Sequence, residues 1–301
     1  MVLALKGVGM GAANVIPGVS GGTIALITGI FEKLINSLKS CNIGALKLLF
    51  SGKFKEFSNH INLDFLVAVF VGIGVSVISL AKILEYLFEN YPVLLWAFFF
   101  GLILASVYFV GKTVTKWSAG SIFMLLLGTV IAIGISLLNP TTENSGTIYI
   151  FICGIVAISS MILPGLSGSF MLILMGNYML VLGSITKLDF SILLPFCAGC
   201  VFGLLAFSHL LAWVFKKFRD LTISVLTGFI LGSLMILWPW KNEIYLADDG
   251  GNLILKDGEK LIQSYEWLTP ELTSYNGVSF GLMFVGVICI WGIEKFAEQQ
   301  G

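Results

Sequence analysis

Apolar residues run along this chain in long blocks separated by short polar stretches, and two of the blocks are interrupted by a proline–glycine–serine cluster. The first cluster is Pro17-Gly18-Val19-Ser20-Gly21-Gly22-Thr23; the second is Pro164-Gly165-Leu166-Ser167-Gly168-Ser169-Phe170. Proline lacks a backbone donor and glycine weakens a helix, so neither block is predicted to run on as one smooth helix. The legs of the first block, Gly7–Ile16 and Ser20–Asn36, are each shorter than the about 20 apolar residues that a span needs. The pattern therefore predicts a re-entrant hairpin over about 7–38 and a second over about 148–185. Unbroken blocks predict spans at Leu63–Ala81, Val93–Val110, Ser121–Leu138, Phe190–Phe215, Leu221–Trp240 and Gly277–Ile293. Over about 39–60, Lys39, Lys47, Lys53 and Lys55 alternate with Leu46, Leu48, Leu49, Phe50, Phe54 and Phe57, which predicts an amphipathic segment lying on the membrane surface. Apolar stretches of this length are helical; they do not resemble the short alternating strands of a barrel.

The two halves repeat beyond the broken blocks. Gly29 matches Gly176 in register with the clusters; Leu63-Asp64-Phe65 matches Leu188-Asp189-Phe190, with Gly74 then falling on Gly199; and Gly101-x-Ile103-Leu104-x-Ser106 matches Gly228-x-Ile230-Leu231-x-Ser233. Matches in the same order point to a duplication. If each hairpin returns to its side of entry, three predicted spans separate the two hairpins, and an odd number inverts the second half. The fold class expected is all-α: a polytopic membrane protein of two inverted repeats, each a hairpin plus about three spans, covering 1–140 and 141–301.

Composition agrees with a membrane chain: 57% of the 301 residues are hydrophobic and 11% charged, against about 25% charged in a soluble domain. A cleavable signal peptide is not expected, because the apolar stretch Gly7–Ile30 is broken and runs on into more membrane sequence. Lys6, Lys33, Lys39, Lys47, Lys53, Lys55, Lys112, Lys116, Lys216, Lys217, Arg219 and Lys295 fall on one predicted side. Lys82, Lys187, Lys241, Lys256 and Lys260 fall on the other, with an acidic loop over 241–276 that holds Glu243, Asp248, Asp249, Asp257, Glu259, Glu266 and Glu271. The positive-inside rule then puts both termini in the cytoplasm, the first hairpin entering from the cytoplasm and the second from outside. Cys197-x-x-Cys200 has the spacing of a redox or metal pair but lacks a second pair or a histidine cluster, so small residues at helix contacts are the expected role.

After each break the chain re-enters a helix, whose first turn carries unpaired N–H groups and the positive end of the macrodipole. Gly18, Gly21, Gly22, Gly165 and Gly168 let an anion approach that backbone; Ser20, Thr23, Ser167 and Ser169 add hydroxyl donors; Pro17 and Pro164 set the breaks. Two such ends brought together from opposite faces would hold one anionic group without an internal lysine or arginine. Asn14, just before the first break, would donate to the ligand or tie down the loop. The plainer alternative is that Ser20 and Ser167 only cap their helices.

These motifs, with Tyr91-Pro92 ahead of Gly101-Leu-Ile-Leu-Ala-Ser106, resemble a bacterial integral-membrane family associated with translocation of undecaprenyl phosphate (polyprenyl phosphate). The resemblance covers essentially the whole chain. It departs at Ser169-Phe170 against Gly22-Thr23 and at Ala105 against Gly232, so the two loops need not contribute equally. It implies a flippase of the bacterial cytoplasmic membrane that returns the lipid carrier of cell-wall synthesis from the outer to the inner leaflet. Its partners would be the polyprenyl-phosphate lipid and the membrane, with no nucleic acid and no cofactor, and a homo-oligomer left open.

Other residues carry two readings each. Asp64 and Asp189 start equivalent spans, where they would cap a helix or couple transport to protons. Arg219, the one arginine in the chain, would meet phosphate at the inner exit or belong to the positive-inside cluster. Glu32 and Lys33 are expected among headgroups, His209 in a packed helix, and Trp96, Trp117, Trp238 and Trp240 at the membrane interfaces. A serine hydrolase with His209 as base would use the Gly-x-Ser-Gly pattern, but the serine is duplicated and the histidine is not. A channel or carrier for a small anion would use the same helix ends.

Overall fold

The computed structural model describes residues 2–15, 20–138, 140–245, 255–256, 259–260, 262–271 and 273–298. The first half opens with α1 (Val2–Val15), α2 (Gly21–Ile27) and α3 (Phe31–Ser40), followed by two short helices, α4 (Ile43–Phe50) and α5 (Phe54–Ile61). Three long helices complete it: α6 (Leu63–Asn90), α7 (Pro92–Lys112) and α8 (Ala119–Ser136). The second half repeats the order with α9 (Thr147–Ile162), α10 (Gly168–Leu174), α11 (Tyr178–Lys187), α12 (Phe190–Lys217) and α13 (Arg219–Leu237). Strands β1 (Lys241–Tyr245), β2 (Leu255–Lys256), β3 (Glu259–Lys260) and β4 (Ile262–Trp267) then precede the last helix, α14 (Ser274–Glu298). Among the described residues six helices are long and apolar enough to cross a membrane (α6, α7, α8, α12, α13 and α14), and α10 with α11 forms a pair bent by 116°. The chain is an all-α polytopic membrane protein.

Local chemistry sets the breaks. Leu163–Leu166 is a type II turn closed by the Leu166 amide on the Leu163 carbonyl at 3.4 Å, with proline and then a left-handed glycine (Gly165, φ 79°) at its centre. Ser20 (φ −114°, ψ 136°) and Ser167 (φ −115°, ψ 130°) hold the same extended backbone, and each accepts a hydrogen bond from the helix it starts. Seven-residue helices follow and end at Gly29 and Gly176, both with φ 71°. The second legs, expected as continuous helices, are thus themselves broken. Glycine supplies the left-handed turn at no steric cost, so the matched glycines mark matched corners.

The packing is also repeated. Helix α1 lies along α6 and α9 along α12; α7 packs on α14 of the other half, and α13 packs on α8. At the crossings the backbones touch through glycine: a Cβ at Gly72 would strike the Ala4 carbonyl, and one at Gly199 the Phe151 carbonyl. Gly72, not Gly74, is therefore the packing counterpart of Gly199; Gly74 faces open space. Gly101 and Gly228 are equivalent as expected, each against a carbonyl of its partner helix, Met283 and Leu125. Such small-residue crossings suit a bilayer, where close van der Waals approach holds helices together. Through the α8–α13 and α7–α14 contacts, helices from before and after residue 140 pack against one another.

Two other expectations change. The described residues of 241–267 form β-hairpin pairs, β1 pairing antiparallel with β4 from Lys241 opposite Trp267, and β2 with β3, while Asp248, Asp249 and Asp257 lie outside the described residues. Indole donors anchor the first pair: Trp267 to the Met235 carbonyl at 2.9 Å and Trp238 to the Leu268 carbonyl at 3.0 Å. Trp240 is buried and donates to Asn276 at 2.8 Å, so it is an internal anchor rather than an interface residue. The lysine-rich segment folds as α4 and α5, which expose Ile43, Leu46, Phe50 and Phe54 beside Lys47, Lys53 and Lys55.

Candidate functional site

The tips of the two broken segments meet. Ser20 Oγ donates to the Met161 carbonyl at 3.0 Å, and the Gly165 amide donates to Thr23 Oγ1 at 3.1 Å. Both bonds join residues more than a hundred positions apart, and Ser20 and Thr23 are buried. Gly22 permits this approach, since a Cβ there would run into the Ile162 carbonyl. Gly165 packs against the backbone of Phe229 and Ile230, where a Cβ would come within 2.6 Å of Phe229. Pro164 is buried beside it. Pro17 and Gly18 lie outside the described residues.

A cleft of about 280 Å³ opens beside this junction, between α9, α10–α11 and α12. Asn14, Ser20, Ser167, Gly168 and Ser169 form its polar side; Ala157, Ile158, Met161, Leu166, Leu172, Tyr178, Phe196 and Cys200 form the rest. None of these lining residues is charged. An anion there would be met by hydroxyls and amides alone, the kind of site the duplicated clusters suggest.

The two loops are not equivalent. In the first, every early amide of α2 is already used: Gly21 on Asn14 Oδ1 at 2.7 Å, Gly22 on Ser20 Oγ at 3.1 Å, and Thr23 on the Ser20 carbonyl at 2.9 Å. Asn14 thus ties down its own loop, while its Nδ2 has no partner among the described residues and the residue lines the cleft. In the second loop Met161 stands where Asn14 stands in the first, and a thioether is a poor acceptor. There Ser167 Oγ receives the Phe170 amide at a long 3.5 Å and lies 2.9 Å from Ser169 Oγ, and Ser169 is exposed to the cleft.

Four candidates sit elsewhere. Arg219 pairs with Glu32, Nε to Oε1 at 3.0 Å, and donates to the Thr113 carbonyl at 3.3 Å; it does not line the cleft. Asp189 caps α12, accepting from the Ser191 hydroxyl at 2.7 Å and the Ser191 amide at 3.0 Å, and these bonds hold its carboxyl below the usual range. Asp64 is exposed in the first turn of α6, after Asn62 in left-handed backbone (φ 52°); the second half places Leu188 (φ 53°) directly before Asp189. The two aspartates therefore stand one position apart relative to the corner, one as a cap and one not. His209 is exposed on α12 with Nδ1 2.8 Å from the Leu205 carbonyl and is likewise absent from the cleft wall.

Sequence reasoning missed Tyr178, Phe196 and Asn177. Asn177 is fully buried and clamps the loop before α9, its Nδ2 on the Asn144 carbonyl at 2.8 Å and its Oδ1 under the Asn144 amide at 3.0 Å. Its adjacency to the matched Gly176 was the available signal.

The undecaprenyl phosphate translocase-like family profile matches residues 10–253, which take in both broken segments. The chain belongs to that family. A polyprenyl-phosphate transporter of Vibrio cholerae serotype O1 is 40% identical over 297 residues, covering 98% of this chain and 96% of that protein. A polyprenyl-phosphate transporter of Staphylococcus aureus is 32% identical over 253 residues, 78% of this chain and 85% of that protein. No solved structure matches the chain. Family and relatives are transporters, and the hydrolase alternative is set aside with them.

Proposed function

We propose that this protein is a flippase that carries polyprenyl phosphate from the outer to the inner leaflet of the bacterial cytoplasmic membrane, with both of its termini in the cytoplasm. The head group sits in the cleft at the junction of the two hairpin tips, and the polyprenyl tail stays in lipid. The observation that carries this reading is the contact of two loops from different halves beside a cleft lined by donors and no charge. A phosphate monoester bears about −1.5 to −2 charge near neutral pH. Left unpaired in hydrocarbon, that charge makes unaided passage very slow. Ser167, Ser169, the amides of Gly168 and Ser169, which have no acceptor among the described residues, and Asn14 Nδ2 replace its water. Ser20, Thr23, Gly21, Gly22 and Gly165 hold the tips in place, and inversion of the halves lets the cleft face either leaflet in turn.

Purified protein in liposomes tests this directly. Polyprenyl phosphate should move between leaflets at a rate that depends on the protein, with and without a pH gradient to report proton coupling. Transport of small anions but not of the lipid would favour the channel alternative. Gly168→Val should abolish lipid movement, because a Cβ there already lies 2.6 Å from the Ala157 carbonyl and would push the loop off α9. Wild-type exchange in that variant would remove the second loop from the site.

A further inference from the structure

Matched corners give each contact of one half an address in the other. Phe31 and Tyr178 each lie two residues past the left-handed glycines Gly29 and Gly176. Phe88 and Phe215 each lie three residues before Tyr91 (φ −138°, ψ 47°) and Phe218 (φ −137°, ψ 52°), whose backbones coincide. In the structure α3 packs along α12, with the Phe31 and Phe215 rings 5.7 Å apart and both side chains buried. The counterpart contact is not made. Helix α11 has no comparable packing on α6, Tyr178 lines the cleft, and Phe88 meets Trp96 edge to face at 5.2 Å. The first half is closed on the second, whereas the second stands open.

An ion pair reinforces the closed side. Glu32 follows Phe31 on α3, and Arg219 starts α13 just after α12. Their 3.0 Å pair is reinforced by Arg219 Nη1 on the Thr113 carbonyl. Asp220 next to it accepts from the Thr115 and Lys116 amides at 3.1 and 3.0 Å, which pins the start of α13 to the α7–α8 turn. The counterparts of Glu32 and Arg219 are Met179 and Pro92, which form no ion pair.

We infer that Glu32 and Arg219 form a one-sided latch that holds α3 on α12, and that transport exchanges this closure for docking of Tyr178 on Phe88. The inference rests on the transporter reading above. Because the counterpart positions Met179 and Pro92 carry no charge, the same pair cannot form at the matched place, the two end states are unequal, and the protein rests with the cleft of the second hairpin open. Both latch side chains are 49% exposed, so the pair is weak enough to be broken in each cycle.

Two readouts in proteoliposomes test it, both independent of lipid movement. In a chain with Cys41, Cys153, Cys197 and Cys289 replaced by alanine, maleimide labelling of native Cys200 reports the open cleft. In a second chain with all five native cysteines replaced, cross-linking of Tyr178→Cys with Phe88→Cys by a short bifunctional reagent reports the alternative closure. Glu32→Gln or Arg219→Gln should lower labelling and raise cross-linking by about two- to fivefold, the range a half-exposed pair allows. The exchange Glu32→Arg with Arg219→Glu should restore both. Unchanged readouts in the single variants, or an exchange that fails to restore them, overturns the latch. Shifted readouts in a protein that moves no polyprenyl phosphate would keep the latch and refute the substrate.

Discussion

Ser169→Ala is the sharpest probe of the proposed head-group site. The hydroxyl is exposed, caps no helix and makes its described bond to Ser167 Oγ at 2.9 Å, so the fold loses little, within about 0.5 kcal/mol of no change. A hydrogen bond from that hydroxyl to a charged phosphate is worth about 1.5–3 kcal/mol. Losing it should weaken binding roughly ten- to a hundredfold. Ser167→Ala should cost the fold more, toward the low end of the about 0.5–2 kcal/mol typical of a cap, because its cap bond is stretched to 3.5 Å. The comparison needs affinity for a short-chain polyprenyl phosphate by native mass spectrometry, leaflet exchange in liposomes, and melting temperature on the same preparations. A Ser167→Ala/Ser169→Ala protein with unchanged melting, affinity and exchange rate would show that the hydroxyl pair does not touch the phosphate.

Other substitutions separate scaffold from site. Asn177→Ala should lower the melting temperature markedly, since it strands both the Asn144 amide and carbonyl at about 1–3 kcal/mol for each group left unsatisfied. Gly165→Ala should do the same through left-handed strain of about 1–2 kcal/mol and collision with the Phe229 backbone; an unaltered melting curve would contradict the turn described. Asp189 has a lowered folded-state pKa, so its contribution to stability is present above the ordinary carboxylate range and is lost only as pH falls through the lowered value. It stays ionised between pH 5 and 8 on that account, and Asp189→Asn, which keeps a capping side chain, should leave the pH profile of transport unchanged. A profile displaced by that substitution would return Asp189 to the coupling role.

Much of the architecture was legible because membrane helices announce themselves by length and apolarity, and because a duplication leaves matched residues at matched corners. Gly29 and Gly176 share one φ angle, and the Gly101 and Gly228 crossings are equivalent, as their spacing implied. Where identity was local chance the reading slipped: Gly74 looked like the partner of Gly199, but backbone contact chooses Gly72. The β-hairpin pairs were not foreseen, since their short polar strands carry little periodic signal beside the spans.

Sequence by itself determined the class of chain, the place of the breaks and the supply of uncharged donors around them. Those properties follow from backbone chemistry acting within a few residues, chiefly the missing proline donor, the freedom of glycine and the capping serines. Which donors remain available was decided only by tertiary structure. Ser20 and Ser167 sit in like motifs with the same backbone and both border the cleft, yet the Ser20 hydroxyl is spent on Met161 while that of Ser167 meets Ser169. Arg219 likewise found Glu32 rather than the cleft. A hydrogen bond is satisfied by whatever the fold brings within about 3 Å, and no local pattern records that.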